Sequence, residues 1–148
     1  MGKISFDQGV YIIEMLLKEE KEIEVGKLGT FEFLPGYYYY IGTAQQNLNT
    51  RIERHLSDDK KLRWHIDYLL AEIEVLQVYS WPGNREVECY LSGKVNRFPA
   101  GINPVEGFGA SDCDCTSHLF YFNYRPAFKH LIHSVIEEKG LECEKRID

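Results

Sequence analysis

The sequence predicts an α+β domain in which a small antiparallel β-sheet is flanked by helices. Three observations predict it. Strand-like stretches joined by short turns fill residues 9–42, and helical periodicity begins only after them, so the start reads as an antiparallel meander. Aromatic residues make up 14% of the chain, with ten Tyr and eight Phe, which favours strands. The 148 residues are 44% hydrophobic, enough for one domain with a core of its own, and no internal repeat, low-complexity tract or linker divides them.

The first strand is "GVYIIEMLL" (9–17), rich in branched and aromatic side chains. "EIEVGKLG" (22–29) alternates apolar and charged residues and is expected to pair with it as a hairpin, and "TFEF" (30–33) continues the strand character. "LPG" turns the chain into "YYYYIG" (37–42). Four consecutive tyrosines divide between the two faces of a strand, 37 and 39 on one and 38 and 40 on the other. "NLNTRIERHLSD" (47–58) then places Leu48, Ile52 and Leu56 on one stripe of a helix, with Asn47 as its N-cap. "LRWHIDYLLAE" (62–72) is a second helix, "IEVLQVYSW" (73–81) a strand closed by Pro82 and Gly83, and "NREVECYLSGKV" (84–95) a helix with Asn84 as cap. Residues 96–115 read as a long Gly/Pro-rich loop, "SHLFYFNY" (117–124) as a strand, and "RPAFKHLIHSVIEEKG" (125–140) as a last helix before a charged tail. The core of the domain is expected at about 8–123, with the helix and tail of 125–148 appended to it.

Charge and composition narrow the function. No apolar run is long enough to span a membrane, and "MGKISFDQGV" lacks the apolar centre of a signal peptide, so the expected place is the cytoplasm. The four cysteines, Cys89, Cys113, Cys115 and Cys143, then read as free thiols or metal ligands rather than disulfides. The net charge of −6 runs against a general nucleic-acid binder. Residues 51–67, with five Lys/Arg and two His against four acids, leave room for a local basic face.

Three places could carry chemistry. On the helix 47–58, Arg51 and His55 fall at the edge of the apolar stripe and Arg54 one step further out, a placement suited to the wall of a cleft. A planar, permanently charged guanidinium suits a phosphate, which makes Arg51 and Arg54 candidate phosphate ligands, although a surface helix pairing with nearby acids uses the same residues. Glu88, between Val87 and Cys89 on a helix, could hold Mg²⁺ or Mn²⁺ and leave coordination positions for phosphate and water, or could simply face solvent as Glu86 would. "SDCDCTSH" (111–118) offers Cys113, Cys115 and His118 as zinc ligands at a spacing tighter than the usual knuckle, with a fourth from Cys89, Cys143 or an aspartate. The competing view of that segment is a tight loop whose Asp and Ser bond their own backbone. His65 is expected to orient a neighbour, and Trp64 and Asp67 to be structural.

"GVY" (9–11), "YIG" (40–42) and a helix carrying "RIERH" (51–55) resemble the GIY-YIG nuclease superfamily. "VGKLGTFEFLPGYYYYIGTA", "KKLRWHIDYLL", "VECYL" and "GFGASDCDCTSHLFYF" narrow the resemblance to the DUF123 family, a GIY-YIG-like group found alone or fused to endonuclease III-type DNA glycosylases; it covers most of residues 8–123. The resemblance implies a three-stranded antiparallel sheet flanked by helices, here with an extra N-terminal hairpin between GVY and YIG that could cap or reshape the site. It implies a catalytic set of Tyr11, Tyr40, Arg51 and Glu88, with His55 matching a histidine of some members, and Tyr11 meeting Tyr40 across the sheet. The activity it implies is a metal-dependent endonuclease of DNA repair or processing: Glu88 holds one Mg²⁺ or Mn²⁺, Arg51 stabilises the phosphoryl charge, and Tyr11 or His55 takes the proton of the attacking water. DNA, or RNA, is the implied partner, with a DNA-repair protein as the source of grip that an acidic chain lacks. The alternatives are a non-catalytic nucleic-acid-binding or adaptor module on the same fold, and a zinc-stabilised interaction protein built on the Cys/Asp loop.

Overall fold

Strand β1, Gly9–Leu17, lies at the centre of the molecule, and all but one of its nine residues are buried. Burial on both faces is what its near-continuous apolar run calls for. In the computed structural model, which describes residues 7–83, 85–96, 104–109, 117–127 and 144–145, β1 pairs antiparallel with β4 (Gly36–Ala44) on one side and β5 (Glu74–Pro82) on the other. Strand β6 (Leu119–Phe122) pairs with the outer edge of β4, and the two-residue β7 (Glu144–Lys145) with that of β5. The sheet order is β6-β4-β1-β5-β7, antiparallel throughout. The α+β class and the antiparallel sheet are those expected from the sequence.

The hairpin pairs differently from the expectation. Strand β2 (Lys21–Glu24) does not lie beside β1; it pairs with β3 (Thr30–Phe33) in a separate two-stranded sheet, linked by a 3₁₀ turn at Gly26–Leu28. Both edges of β1 are already occupied by β4 and β5, so the hairpin stands off the main sheet and contributes Ile23, Val25 and Phe33 to the core. Its 3₁₀ turn rests on α2, where Tyr68 closes over Gly26.

The helices are α1 (Leu48–Leu56), α2 (His65–Leu70) and α3 (Arg85–Asn96). Asn47 precedes α1 as expected, in the left-handed region at φ 56°, but makes no side-chain cap. Asp7 does the tethering instead: its Oδ1 accepts from the Asn47 N–H at 3.0 Å and its carbonyl from Leu48 N–H at 3.0 Å. The expected cap Asn84, the helix at 125–140 and Cys113, Cys115 and Cys143 lie outside the described residues, apart from 125–127 at the helix's start.

Two cores flank the sheet. Tyr11, Ile13, Met15, Tyr38 and Leu119 face one with α1, α2 and the hairpin; Val10, Ile12, Tyr39, Ile41, Trp81 and Phe120 face the other, which α3 covers with Val87, Tyr90 and Leu91. The four tyrosines divide as the period of two requires. Tyr38 donates to the Leu34 carbonyl at 2.6 Å, and Tyr37 packs on the second core. Tyr39 donates to the buried carboxylate of Glu14, which Arg125 also binds at 2.9 Å, so the segment after β6 is pinned across that face. Tyr40 alone of the four lines a cleft. Among the described residues, no helix is long and apolar enough to cross a membrane.

Candidate active site

Register brings the first two residues together. Tyr11 lies opposite Gly42, and Tyr40, two residues back on the same strand face, lies opposite Ile13. The two phenol rings therefore approach to 6.3 Å between centroids. Gly42 makes the space for this: a Cβ there would stand 2.5 Å from Cζ of Tyr11, closer than side chains tolerate. The glycine after "YI" is thus a requirement of the tyrosine on the neighbouring strand.

Helix α1 adds its inner edge. Arg51 donates from Nη1 to the Thr43 carbonyl at 2.9 Å and stacks 4.7 Å over the Trp64 ring, and its positive charge acts on Tyr11. His55, one turn on, is only 2% exposed, deeper than the edge position read from the helix periodicity. Its Nε2 is 2.7 Å from the Tyr11 hydroxyl, and its Nδ1 is buried without a hydrogen-bond partner. A bare lone pair costs less there than a bare N–H, which favours the tautomer in which Nε2–H donates to Tyr11. In that tautomer the phenol oxygen accepts from His55 while the Arg51 cation acts on it electrostatically. Burial nevertheless pushes the Tyr11 phenol well above its usual range, with Arg51 pulling the other way. Burial, reinforced by Arg51, Arg54 and Lys60, lowers His55 to about 3, so the imidazole is neutral.

Arg54 is committed elsewhere. Its guanidinium forks onto Asp67 at 2.8 and 2.9 Å, donates to the Lys61 carbonyl and stacks 4.3 Å over Trp64. The Asp67 carboxylate is fully buried and also accepts the backbone N–H of Arg63 and Trp64, at 2.9 and 2.8 Å. Burial by itself makes the carboxyl harder to ionise, but these bonds win and hold it below the usual carboxylate range. Asp67 and Trp64 are structural, as expected, and they position Arg51 by holding the ring on which it stacks.

Glu88 reaches the cleft from α3 and is 7% exposed. His118 approaches it from the residue before β6, Nε2 to Oε1 3.8 Å, and the ligand atoms of Glu88, Cys89 and His118 all lie within 4.8 Å of one another. Gly109 contributes to the opposite wall, where His65 Nδ1 accepts its N–H at 3.0 Å. Gly109, at φ 67°, lets the backbone pass against Tyr40, where a Cβ would stand 2.9 Å from the ring.

The result is a cleft of ≈ 510 Å³ walled by Tyr11, Tyr40, Arg51 and Glu88 together with Thr43, Arg63, Trp64 and His65. His55 stands behind Tyr11 and reaches the cleft only through it. Arg54 is held one layer back, on Asp67. The zinc candidates separate: His118 is beside Glu88 and Cys89, whereas Cys113 and Cys115 lie outside the described residues. No residue of the inserted hairpin lines the cleft; Leu28 rests instead near Gly107, bracing the loop that forms one wall. Sequence reading missed Thr43, Arg63 and the loop glycine Gly109. A tryptophan between Arg63 and His65 in "LRWHIDYLL" was the available signal, since an indole amid cations serves as a stacking floor.

Such a cleft joins a fixed cation, a nearly buried carboxylate and a phenol oxygen bonded to His55. It can bind an anionic ester, hold a divalent ion and move a proton. A family model described as "Domain of unknown function DUF123" matches residues 10–141, and the chain belongs to that family. No curated protein and no solved structure matches.

Proposed function

We propose that this member of the DUF123 family is a metal-dependent endonuclease of the GIY-YIG kind, hydrolysing phosphodiester bonds in DNA during repair or processing. The observation that carries the reading is convergence: Tyr11 of β1, Tyr40 of β4, Arg51 of α1 and Glu88 of α3 meet in one cleft, although nothing in their sequence separation requires it.

The residues present fit a divalent cation, because Glu88 places a nearly buried carboxylate at the wall of the open cleft. Glu88 would hold Mg²⁺ or Mn²⁺, which would supply Lewis-acid charge to a phosphoryl oxygen. Arg51, fixed by the Thr43 carbonyl and the Trp64 ring, offers its remaining donors to the charge that develops on the phosphoryl group. Tyr11 is the group that touches the attacking water, since it lines the cleft and His55 does not. As phenolate, Tyr11 takes the water's proton; Arg51 and the Nε2–H of His55 hold the charge on its oxygen beforehand. His55 is a positioning residue. Tyr40 forms the facing wall, 6.4 Å ring to ring from His55.

The test is cleavage of labelled single-stranded, duplex, nicked, flapped and abasic DNA, and of one RNA, with Mg²⁺ or Mn²⁺, beside a folded Glu88→Ala control. Cleavage by the wild type that disappears in Glu88→Ala is the expected result. Salt-sensitive binding with no cut in any substrate would replace this reading with a non-catalytic binding module.

A further inference from the structure

We propose that Glu88, Cys89 and His118 form a single mixed-ligand metal centre at the wall of the cleft, and that it takes an ion of the zinc class in preference to Mg²⁺. The inference shares Glu88 with the cleavage reading but rests on the donor set, and binding is measured apart from cleavage.

Distances come first. Nε2 of His118 and Oε1 of Glu88 are 3.8 Å apart, too far for a hydrogen bond. Two ligands on one tetrahedral ion, each about 2.1 Å from it, are separated by roughly 3.4 Å. The observed separation thus needs only a small side-chain adjustment to become the edge of a coordination polyhedron. Cys89 Sγ completes a triangle with all three donor atoms within 4.8 Å of one another.

The surroundings of His118 point the same way. The residue is fully buried, and its Nδ1 is 2.6 Å from Oγ of Ser92, itself 4% exposed. The bond to Ser92 anchors the ring through Nδ1; with an ion bound, Nδ1–H would donate to Ser92 and Nε2 would ligate, the arrangement of a histidine anchored through its other nitrogen. Glu88 and Ser92 are one turn apart on α3, so the helix grips the imidazole on both sides. The backbone of His118 is equally fixed: its N–H donates to the Phe108 carbonyl and its carbonyl accepts from Ile41, both at 2.9 Å. A preformed site loses little entropy when the ion enters.

Donor chemistry decides the ion. Mg²⁺ prefers oxygen, and the triad offers it one carboxylate. An imidazole nitrogen, a thiolate and a carboxylate suit Zn²⁺ or Co²⁺, with the fourth position open to the cleft.

The experiment is a titration of the full chain, stripped of metal, with Co²⁺, followed by its visible ligand-field bands and its near-ultraviolet sulfur-to-cobalt charge-transfer band. Cys113, Cys115 and Cys143 are changed to Ser throughout, so that any thiolate band reports Cys89. One equivalent of Co²⁺ giving tetrahedral bands and the sulfur band is expected, displaced by one equivalent of Zn²⁺ and not by a large excess of Mg²⁺. Cys89→Ser should abolish the sulfur band, and His118→Gln should weaken binding at least tenfold. Should His118→Gln fail to fold, Ser92→Ala serves, with a loss of roughly ten- to a hundredfold expected from freeing Nδ1. Absence of tetrahedral bands, or bands and affinity unchanged in Cys89→Ser and in the His118 or Ser92 variant, would overturn the proposal. DNA cleavage in Mg²⁺ that depends on Glu88, without Co²⁺ binding at the triad, would sink this inference and spare the cleavage reading; triad binding without cleavage would do the reverse.

Discussion

His55 and Tyr11 share a hydrogen bond of 2.7 Å, yet burial drives their proton affinities apart, raising the phenol and lowering the imidazole to about 3. Each shift has a measurable sign. Unfolded, the histidine protonates below about 6.5; folded, it resists until about 3. The unfolded state therefore binds more protons between those values, and stability is lost as pH falls through that window. Urea unfolding at a series of pH values should show His55→Gln losing about 2–3 kcal/mol less than wild type between about pH 6.5 and 4.5. In the proposed mechanism the active form of Tyr11 is the phenolate, so the cleavage rate should climb about tenfold per pH unit up to alkaline pH, with no limb near the usual histidine value. Tyr11→Phe should lower kcat by about 10²–10⁴ and remove that slope. A flat pH–rate profile in the wild type would show that Tyr11 is not the base.

At the scale of elements, the fork of Arg54 onto the buried Asp67 carboxylate ties α1 to α2, beside the stacking of Arg51, Arg54 and His55 on Trp64 and the apolar core the two helices share. Arg54→Ala leaves a buried carboxylate with only two backbone donors, an expected loss of about 3 kcal/mol. In the Arg54→Ala/Asp67→Ala double variant no charge is stranded, so the loss should be less than the sum of the singles, as chemical denaturation in a double-mutant cycle would measure. The site depends on this joint, because Asp67 caps the start of α2, which carries Trp64 and His65 to the cleft. The inserted hairpin acts at the same scale: it braces α2 and the 104–109 loop from behind and leaves the cleft mouth unobstructed.

The whole molecule carries a charge of −6, yet its cleft presents Arg51 and the exposed Arg63. Acidic proteins repel a polyanion at long range, so the proposed grip on DNA would have to be local. With two arginines meeting phosphates, the slope of log K against log salt for duplex DNA should be about −2; a slope several times steeper in a salt series would place the contact surface elsewhere. An accessory repair protein that supplies the missing grip would steepen the slope only when present.

Much of this was legible one residue at a time. Period-two alternation separated Tyr38 and Tyr40 from Tyr37 and Tyr39, and the apolar stripe of 48, 52 and 56 located α1, because both are local consequences of backbone geometry. The DUF123 family followed from longer stretches such as "VGKLGTFEFLPGYYYYIGTA", "KKLRWHIDYLL" and "GFGASDCDCTSHLFYF". Pattern marks a strand without naming its partner, so the separate pairing of β2 with β3 had to come from competition for the edges of β1. Helix periodicity put His55 at an edge; packing of Trp64 and Tyr11 around it made it buried and neutral. The fork of Arg54 onto Asp67, the bond from Gly109 to His65 and the meeting of Glu88 and Cys89 with His118 all join residues distant in the chain. Such contacts are fixed by how faces pack in three dimensions, which only the tertiary structure decides.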